Sequence, residues 1–289
     1  MSSIHLARKA AGAGLPVEDR LLELAGIRTA VLEGGAGPPV VLLHGPVANA
    51  FHWRRVIPAL TEHHRVVAPD LPGQGATAPT AGGTRAEVLE WLDALVDRTC
   101  DGPPALVGLT LGGAIAASYA AEHPGRLESL ALVDALALGP FAPAPRFGAA
   151  LNAFLAEPNG ESYDGLWRVC AFDLERMSAG MDEEWDTLRA YGVELLAEPQ
   201  TMTGLGALMQ AFALQPLHED VLARIDVPTT LVWGRQDLAT TLVVAEAASE
   251  RHGWPLHVID DCADEPPLER PEAFLAVLEQ AIDRMEVTR

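Results

Sequence analysis

Cysteine is scarce in this 289-residue chain: Cys100, Cys170 and Cys262 are odd in number, far apart and in no metal-ligand spacing. That excludes a disulfide framework, fits a reducing compartment, and reads each thiol as a small buried side chain. Basic charge is scarce as well. Lys and Arg number 20 against 40 Asp and Glu, a net charge of −20 with no basic run. Phosphate backbones and anionic membranes are therefore repelled, and neither nucleic acid nor a membrane is an expected partner. The opening stretch MSSIHLARKAAGAGLPVEDR has no continuous apolar segment long enough for a signal peptide or a membrane span, so a cytoplasmic protein is expected. Internal repeats and low-complexity segments are missing, and the only Gly-rich turn is the one at 108–113, so no cofactor and no metal site are expected.

What is present is apolar: 49% of residues are hydrophobic, enough for one full core carrying an insertion. Short β-branched runs alternate with stretches of helical period. The strand candidates are TAVLE, PVVLLHG, RVVAPD, PALVGL, SLALVDAL, TTLVWG and PLHVID. Helices are expected over Phe51–Glu62, Arg85–Arg98, Leu111–Glu122, Val243–Arg251 and Glu272–Met285. This is the α/β pattern, a mostly parallel central sheet flanked by helices. Residues 139–215 are helical in pattern with little strand signal, so they read as a cap inserted over the sheet's carboxyl edge, between core segments 1–138 and 216–289. Trp167, Trp185, Phe172, Tyr191, Met202 and Met209 lie in this insertion and are candidates to face a ligand.

The run LLHGPVANAFHWRRVIPAL, then HRVVAPDLPGQGAT, LVGLTLGGAIAASYAAEHP, IDVPTTLVWGRQD and DCADEPPLERPEAFLAVL, resembles the α/β-hydrolase superfamily in order and spacing, in particular its capped, epoxide-hydrolase- or esterase-like branch. The resemblance runs from about residue 25 to the C-terminus, is weakest in the insertion, and implies the α/β-hydrolase fold. It also exposes a degenerate triad. Where the family's G-x-S-x-G elbow holds serine, this chain has Thr110 between Gly108 and Gly112; the added methyl restricts χ1 at a strained turn. Asp237 in VWGRQD matches the triad acid. Asp264 stands where the base histidine is expected, and a carboxylate, with an ordinary pKa of about 3.9 against about 6.5 for imidazole, is the weaker base.

The oxyanion loop is altered too. After His44-Gly45 comes Pro46, which has no N–H to offer, leaving Val47 or the Leu111 amide as donors. All nine histidines lie away from the family's base position, and His52, just after this loop, is the best substitute as well as a candidate substrate contact alongside Trp167 and Trp185. Asp264 facing Asp237 would share a proton, with Asp134 able to join them, giving a general acid near neutrality. Losing a triad member costs about 10⁴ to 10⁶ in turnover. The leading expectation is accordingly a non-hydrolytic enzyme of bacterial natural-product biosynthesis, catalysing C–C bond formation, cyclisation, elimination or isomerisation of a hydrophobic small molecule by positioning and acid–base effects. Two alternatives stand beside it: a residual ester, lactone or epoxide hydrolase using Thr110 or an Asp-activated water, and a ligand-binding pseudoenzyme. A homodimer is the assembly allowed for.

Overall fold

Period-two alternation in short apolar strands gives the sheet two buried faces. A computed structural model describes residues 3–283 of the protein. Among the described residues the strands are β1 (Glu18–Leu24), β2 (Ile27–Gly34), β3 (Pro39–Leu43), β4 (Arg65–Pro69), β5 (Ala105–Leu109), β6 (Ser129–Val133), β7 (Thr229–Gly234) and β8 (Leu256–Ile259). They form one sheet in the order β1-β2-β4-β3-β5-β6-β7-β8. β2 pairs antiparallel with β1 and β4, and every other neighbouring pair is parallel. β5, β6 and β7 are buried along their whole length, as central parallel strands covered on both faces must be. Leu106, Leu132 and Trp233 point into one core with Trp91 and Tyr119, while Val107, Val133 and Val232 point into the other with Trp53 and Phe274.

The helices are α1 (Ser3–Ala11), α2 (Ile57–His63), α3 (Arg85–Thr99), α4 (Leu111–Glu122), α5 (Pro145–Ala156), α6 (Gly160–Cys170), α7 (Leu174–Ala179), α8 (Glu183–Leu196), α9 (Pro199–Phe212), α10 (Glu219–Leu222), α11 (Leu242–His252), α12 (Pro266–Glu269) and α13 (Pro271–Asp283). α3 begins in a capping box: the Thr84 hydroxyl accepts from the Glu87 amide, and the Glu87 carboxylate accepts from the Thr84 amide. Every residue of α4 from Leu111 to Ala121 is buried, the mark of a helix enclosed on all sides. Helices α5 to α9 all lie between β6 and β7.

The expected mostly parallel sheet flanked by helices is present, with differences at three elements. β1 was not anticipated, because in EDRLLEL only Leu22 and Leu24 are buried; pairing with β2 through a two-residue turn at Ala25-Gly26, both at positive φ, makes it a strand. The single helix expected over Phe51–Glu62 is broken into a 3-10 turn at Ala50–Trp53 and then α2. Asn49 Oδ1 accepts from the Phe51 amide and tightens the first turn, and Pro58, lacking an N–H, sits in the first turn of α2 where none is needed. The helix expected over Glu272–Met285 appears as α13, and Met285 lies outside the described residues.

Candidate active site

The carboxyl ends of β3, β5, β6, β7 and β8 converge, the usual place for a ligand in an open α/β sheet. Thr110 follows β5 directly, with φ 46° and ψ −103°, and α4 starts at the next residue. A side chain is rarely tolerated in that conformation, so the surroundings must impose it. They do: the Thr110 amide donates to the Val133 carbonyl at 2.8 Å, and its carbonyl accepts from the Leu136 amide at 3.0 Å. The turn also needs bare glycine. A Cβ on Gly112 would stand 2.3 Å from the Leu43 carbonyl oxygen, and one on Gly108 2.4 Å from that of Gly112. Thr110 Oγ1 is buried with no hydrogen-bond partner, and a Cβ on Gly45 would come within 2.5 Å of it, so the hydroxyl is turned onto the loop after β3.

In that loop His44 is a structural pin. Its Nδ1–H donates to the Gly45 carbonyl at 2.8 Å and its Nε2 accepts from the Leu71 amide at 2.9 Å. Burial lowers its pKa to about 4, so the ring is neutral and both nitrogens are occupied. Pro46 supplies no N–H, Val47 stands at φ 55°, and the Leu111 amide lies at the start of α4.

The acidic side is crowded. Asp237 Oδ1 accepts from the amides of Ala239 at 2.7 Å and Thr240 at 3.0 Å, while Oδ2 finds no N–H or hydroxyl donor. Burial raises the Asp237 pKa to about 7 against the pull of those two amides, and its side-chain hydrogen-bond neighbour is Asp134. Asp134 is fully buried, gives Oδ1 to the Gly234 amide at 2.9 Å, and likewise leaves Oδ2 without a donor. Asp134 joins Asp237 and Asp264 in one buried cluster, because it and Asp237 follow the neighbouring strands β6 and β7. Burial first, then Asp237, Glu265 and Glu269, push the Asp264 carboxyl well above the usual carboxylate range. Glu269, itself raised by burial, ties the loop together through the amides of Ala263 at 2.8 Å and Phe172 at 2.7 Å.

A cavity of about 320 Å³ lies over the elbow, lined by Pro46, Val47 and Thr110 of the sheet edge, by His52, and by Asp264 and Glu265 from the loop after β8. Helices α5, α6 and α9 close it with side chains that include Phe147, Leu151, Trp167, Met202 and Met209. Of the six insertion candidates, Trp167, Met202 and Met209 reach the cavity. Trp185 stands behind Trp167, edge-on at 4.9 Å; Tyr191 is core, and Phe172 is exposed. Leu155 and Leu214 line the cavity and are about half exposed, so its mouth is apolar. His52 is buried, with Nδ1 3.3 Å from Glu265 Oε1 and Nε2 unpartnered.

Glu265 and Glu269 carry no motif signal of their own. The clue available in the sequence was only the density of acids around Asp264. Cys170 also lines the cavity, but burial and then Asp264 push its thiol well above the ordinary range, so it stays protonated and unreactive. Among the described residues no group of three or more His, Cys, Asp and Glu side chains is arranged to hold a metal ion, and no helix is long and apolar enough to cross a membrane.

The α/β-hydrolase fold model matches residues 38–271. The chain is 27% identical over 286 residues to 2-hydroxy-6-oxo-6-(2'-aminophenyl)hexa-2,4-dienoic acid hydrolase of Metapseudomonas resinovorans, covering 94% of this chain and 93% of that protein. It is 33% identical over 222 residues to a pimeloyl-[acyl-carrier protein] methyl ester esterase of Chromobacterium violaceum, covering 72% and 79%. The solved structure of 2-hydroxy-6-oxo-6-phenylhexa-2,4-dienoate hydrolase from Rhodococcus sp. strain RHA1 superposes with TM-score 0.81 at 25% identity, over 93% of this chain and 99% of that one. These relatives are named as hydrolases and match over 72% to 94% of this chain, which overturns the expectation of a non-hydrolytic cyclase or other biosynthetic enzyme. That expectation weighed three altered motif positions heavily.

Proposed function

Because the chain belongs to the α/β-hydrolase-fold family, we propose that it is a hydrolase, and that its substrate is an uncharged, largely apolar ester or lactone. The observation that carries this is the lining of the cavity over Thr110: apolar side chains, the carboxyls of Asp264 and Glu265, and neither Lys nor Arg. The two relatives named for dienoic or dienoate substrates take carboxylates. Here a substrate carboxylate would be buried with no Lys or Arg to pair with it, and an unpaired buried charge costs several kcal/mol. A neutral ester meets no such penalty, and its apolar chain fits the mouth at Leu155 and Leu214.

In this reading helices α5 to α9, within residues 139–215, act as a cap that excludes water and grips the substrate. The scissile carbonyl rests against Thr110 with its oxygen toward the Leu111 and Val47 amides. In this reading water is the nucleophile, Thr110 Oγ1 being turned onto the loop after β3. Water oxygen bonds to the carbonyl carbon, the alkoxy C–O bond breaks, and the proton the water releases goes to solvent, from which Asp264 is reprotonated. Asp264, whose carboxyl is held protonated by burial and by neighbouring acids, gives the departing alkoxide its proton. Asp237 helps keep that acid protonated through its negative field.

Initial rates on p-nitrophenyl butyrate and hexanoate, the matching ethyl esters, a δ-lactone and a dienoate test this. Turnover of the neutral substrates at about a hundredfold or more over the dienoate is expected from the charge argument. Preference for the carboxylate, or silence on every neutral ester and lactone, would refute it.

A further inference from the structure

His44 and His52 sit eight positions apart in one loop region, both buried, and are used in opposite ways. His44 has a partner on each ring nitrogen. His52 has one: Nδ1–H donates to Glu265 Oε1 at 3.3 Å, and Nε2 is buried in the cavity wall with nothing bonded to it. A packing histidine satisfies both nitrogens, since an unpaired buried polar atom destabilises the fold, and such atoms concentrate at functional sites. Donation from Nδ1 also fixes the tautomer, so that the lone pair is on Nε2, the form a general base needs.

We propose that His52, oriented by Glu265, is the general base of this enzyme and replaces the imidazole missing at position 264. The inference rests on the hydrolase reading above. Three observations carry it. His52 lines the same cavity as Thr110 and Asp264. Its ring is immobilised by Trp167, 5.6 Å centroid to centroid, and by the 3-10 turn in which its amide donates to the Asn49 carbonyl at 3.0 Å. Glu265 follows Asp264 directly, so the loop after β8 that in this chain presents an acid at 264 presents the orienting carboxylate at 265. Nε2 takes one proton from the attacking water as its oxygen bonds to the carbonyl carbon. Asp264 protonates the leaving alkoxide, and the imidazolium returns its proton to Asp264 through solvent. The sum is ester plus water giving acid plus alcohol. The charged or titratable groups facing the imidazole are Glu265, Asp264, Tyr163, Cys170 and His44.

The test is p-nitrophenyl butyrate hydrolysis with thermal melting in parallel. His52→Gln is expected to lower kcat by about a hundredfold or more, the usual worth of a general base, with KM within about threefold and an unchanged melt. Imidazole added to His52→Ala is expected to restore turnover. Glu265→Gln is expected to lower kcat about tenfold with KM within about threefold, because the ring loses the partner that orients it. Activity of His52→Gln within threefold of the native chain, or no imidazole rescue, overturns the base while leaving the hydrolase reading standing. A native chain silent on neutral esters overturns both.

Discussion

Asp70 and Asp134 are both completely buried, one where α1 packs beside the sheet and the other at the end of β6, but only Asp70 is compensated. Its Oδ2 accepts from Arg8 Nη1 at 2.6 Å and the Ala76 amide at 2.8 Å, and its Oδ1 accepts from the Ala50 amide at 2.8 Å. Arg8 continues to Asp19 and to the Tyr191 hydroxyl, so it joins α1 to α8. Burial alone would lower the Arg8 pKa; Asp70 and Asp19 outweigh it and hold the guanidinium charged. Among the described residues Asp134, Asp237 and Asp264 make no ion pair, and each keeps one oxygen unpartnered. The contrast separates a buried charge that fastens elements together from buried acids that hold protons.

Removing the cation should break the first region most severely. Arg8→Leu leaves Asp70 charged and buried and is expected to cost about 3 to 5 kcal/mol in urea denaturation. Next comes the pH dependence of stability. Asp134, Asp237, Asp264 and Glu269 all have raised folded-state pKa values, so the folded protein binds more protons than the unfolded chain across that window. Their contribution is full below the unfolded carboxylate range and is lost as pH rises through the folded values, about 7 for Asp237. Stability is therefore expected to fall by about 2 kcal/mol between pH 5 and pH 8. General repulsion in an acidic protein acts in the same direction, so the discriminating measurement is a shallower slope in Asp134→Asn, which keeps an acceptor for Gly234. An unchanged slope would remove the cluster from the account.

Smaller effects sharpen the catalytic half. Asp264→Asn should slow ethyl ester hydrolysis about tenfold to a hundredfold while changing p-nitrophenyl esters less than about twofold, because a good leaving group does not need an acid. Equal losses on both would mean that Asp264 is not the proton donor. Smallest of all is Thr110→Ala, expected within about threefold of the native rate with no acyl adduct in intact-protein mass measurement, as the hydroxyl takes no part in bond making. A large loss together with an adduct on the native chain would reinstate Thr110 as the nucleophile.

The positions of Thr110, Asp237 and Asp264 were legible because the runs around them resemble α/β-hydrolase motifs, each of which follows a strand directly. The partner relations were not. His52 and Glu265 are 213 positions apart and meet only when the loop after β8 folds against the turn after β3. Asp134 meets Asp237 because β6 and β7 are parallel neighbours. The same limit hid β1, whose exposed face carries no apolar pattern, and placed Trp185 at the cavity when it stands one ring behind.

The amino-acid sequence by itself determined the α/β order, the glycine-shaped elbow and the changed residues at 46, 110 and 264, since these depend on period, backbone permissiveness and the presence or absence of an N–H or an imidazole. Tertiary structure alone decided which acids cluster, that His52 Nε2 is left without a partner, and that neither Lys nor Arg lines the cavity. Those properties arise from burial and from contacts between distant segments, and both come into being only when the chain closes around the site.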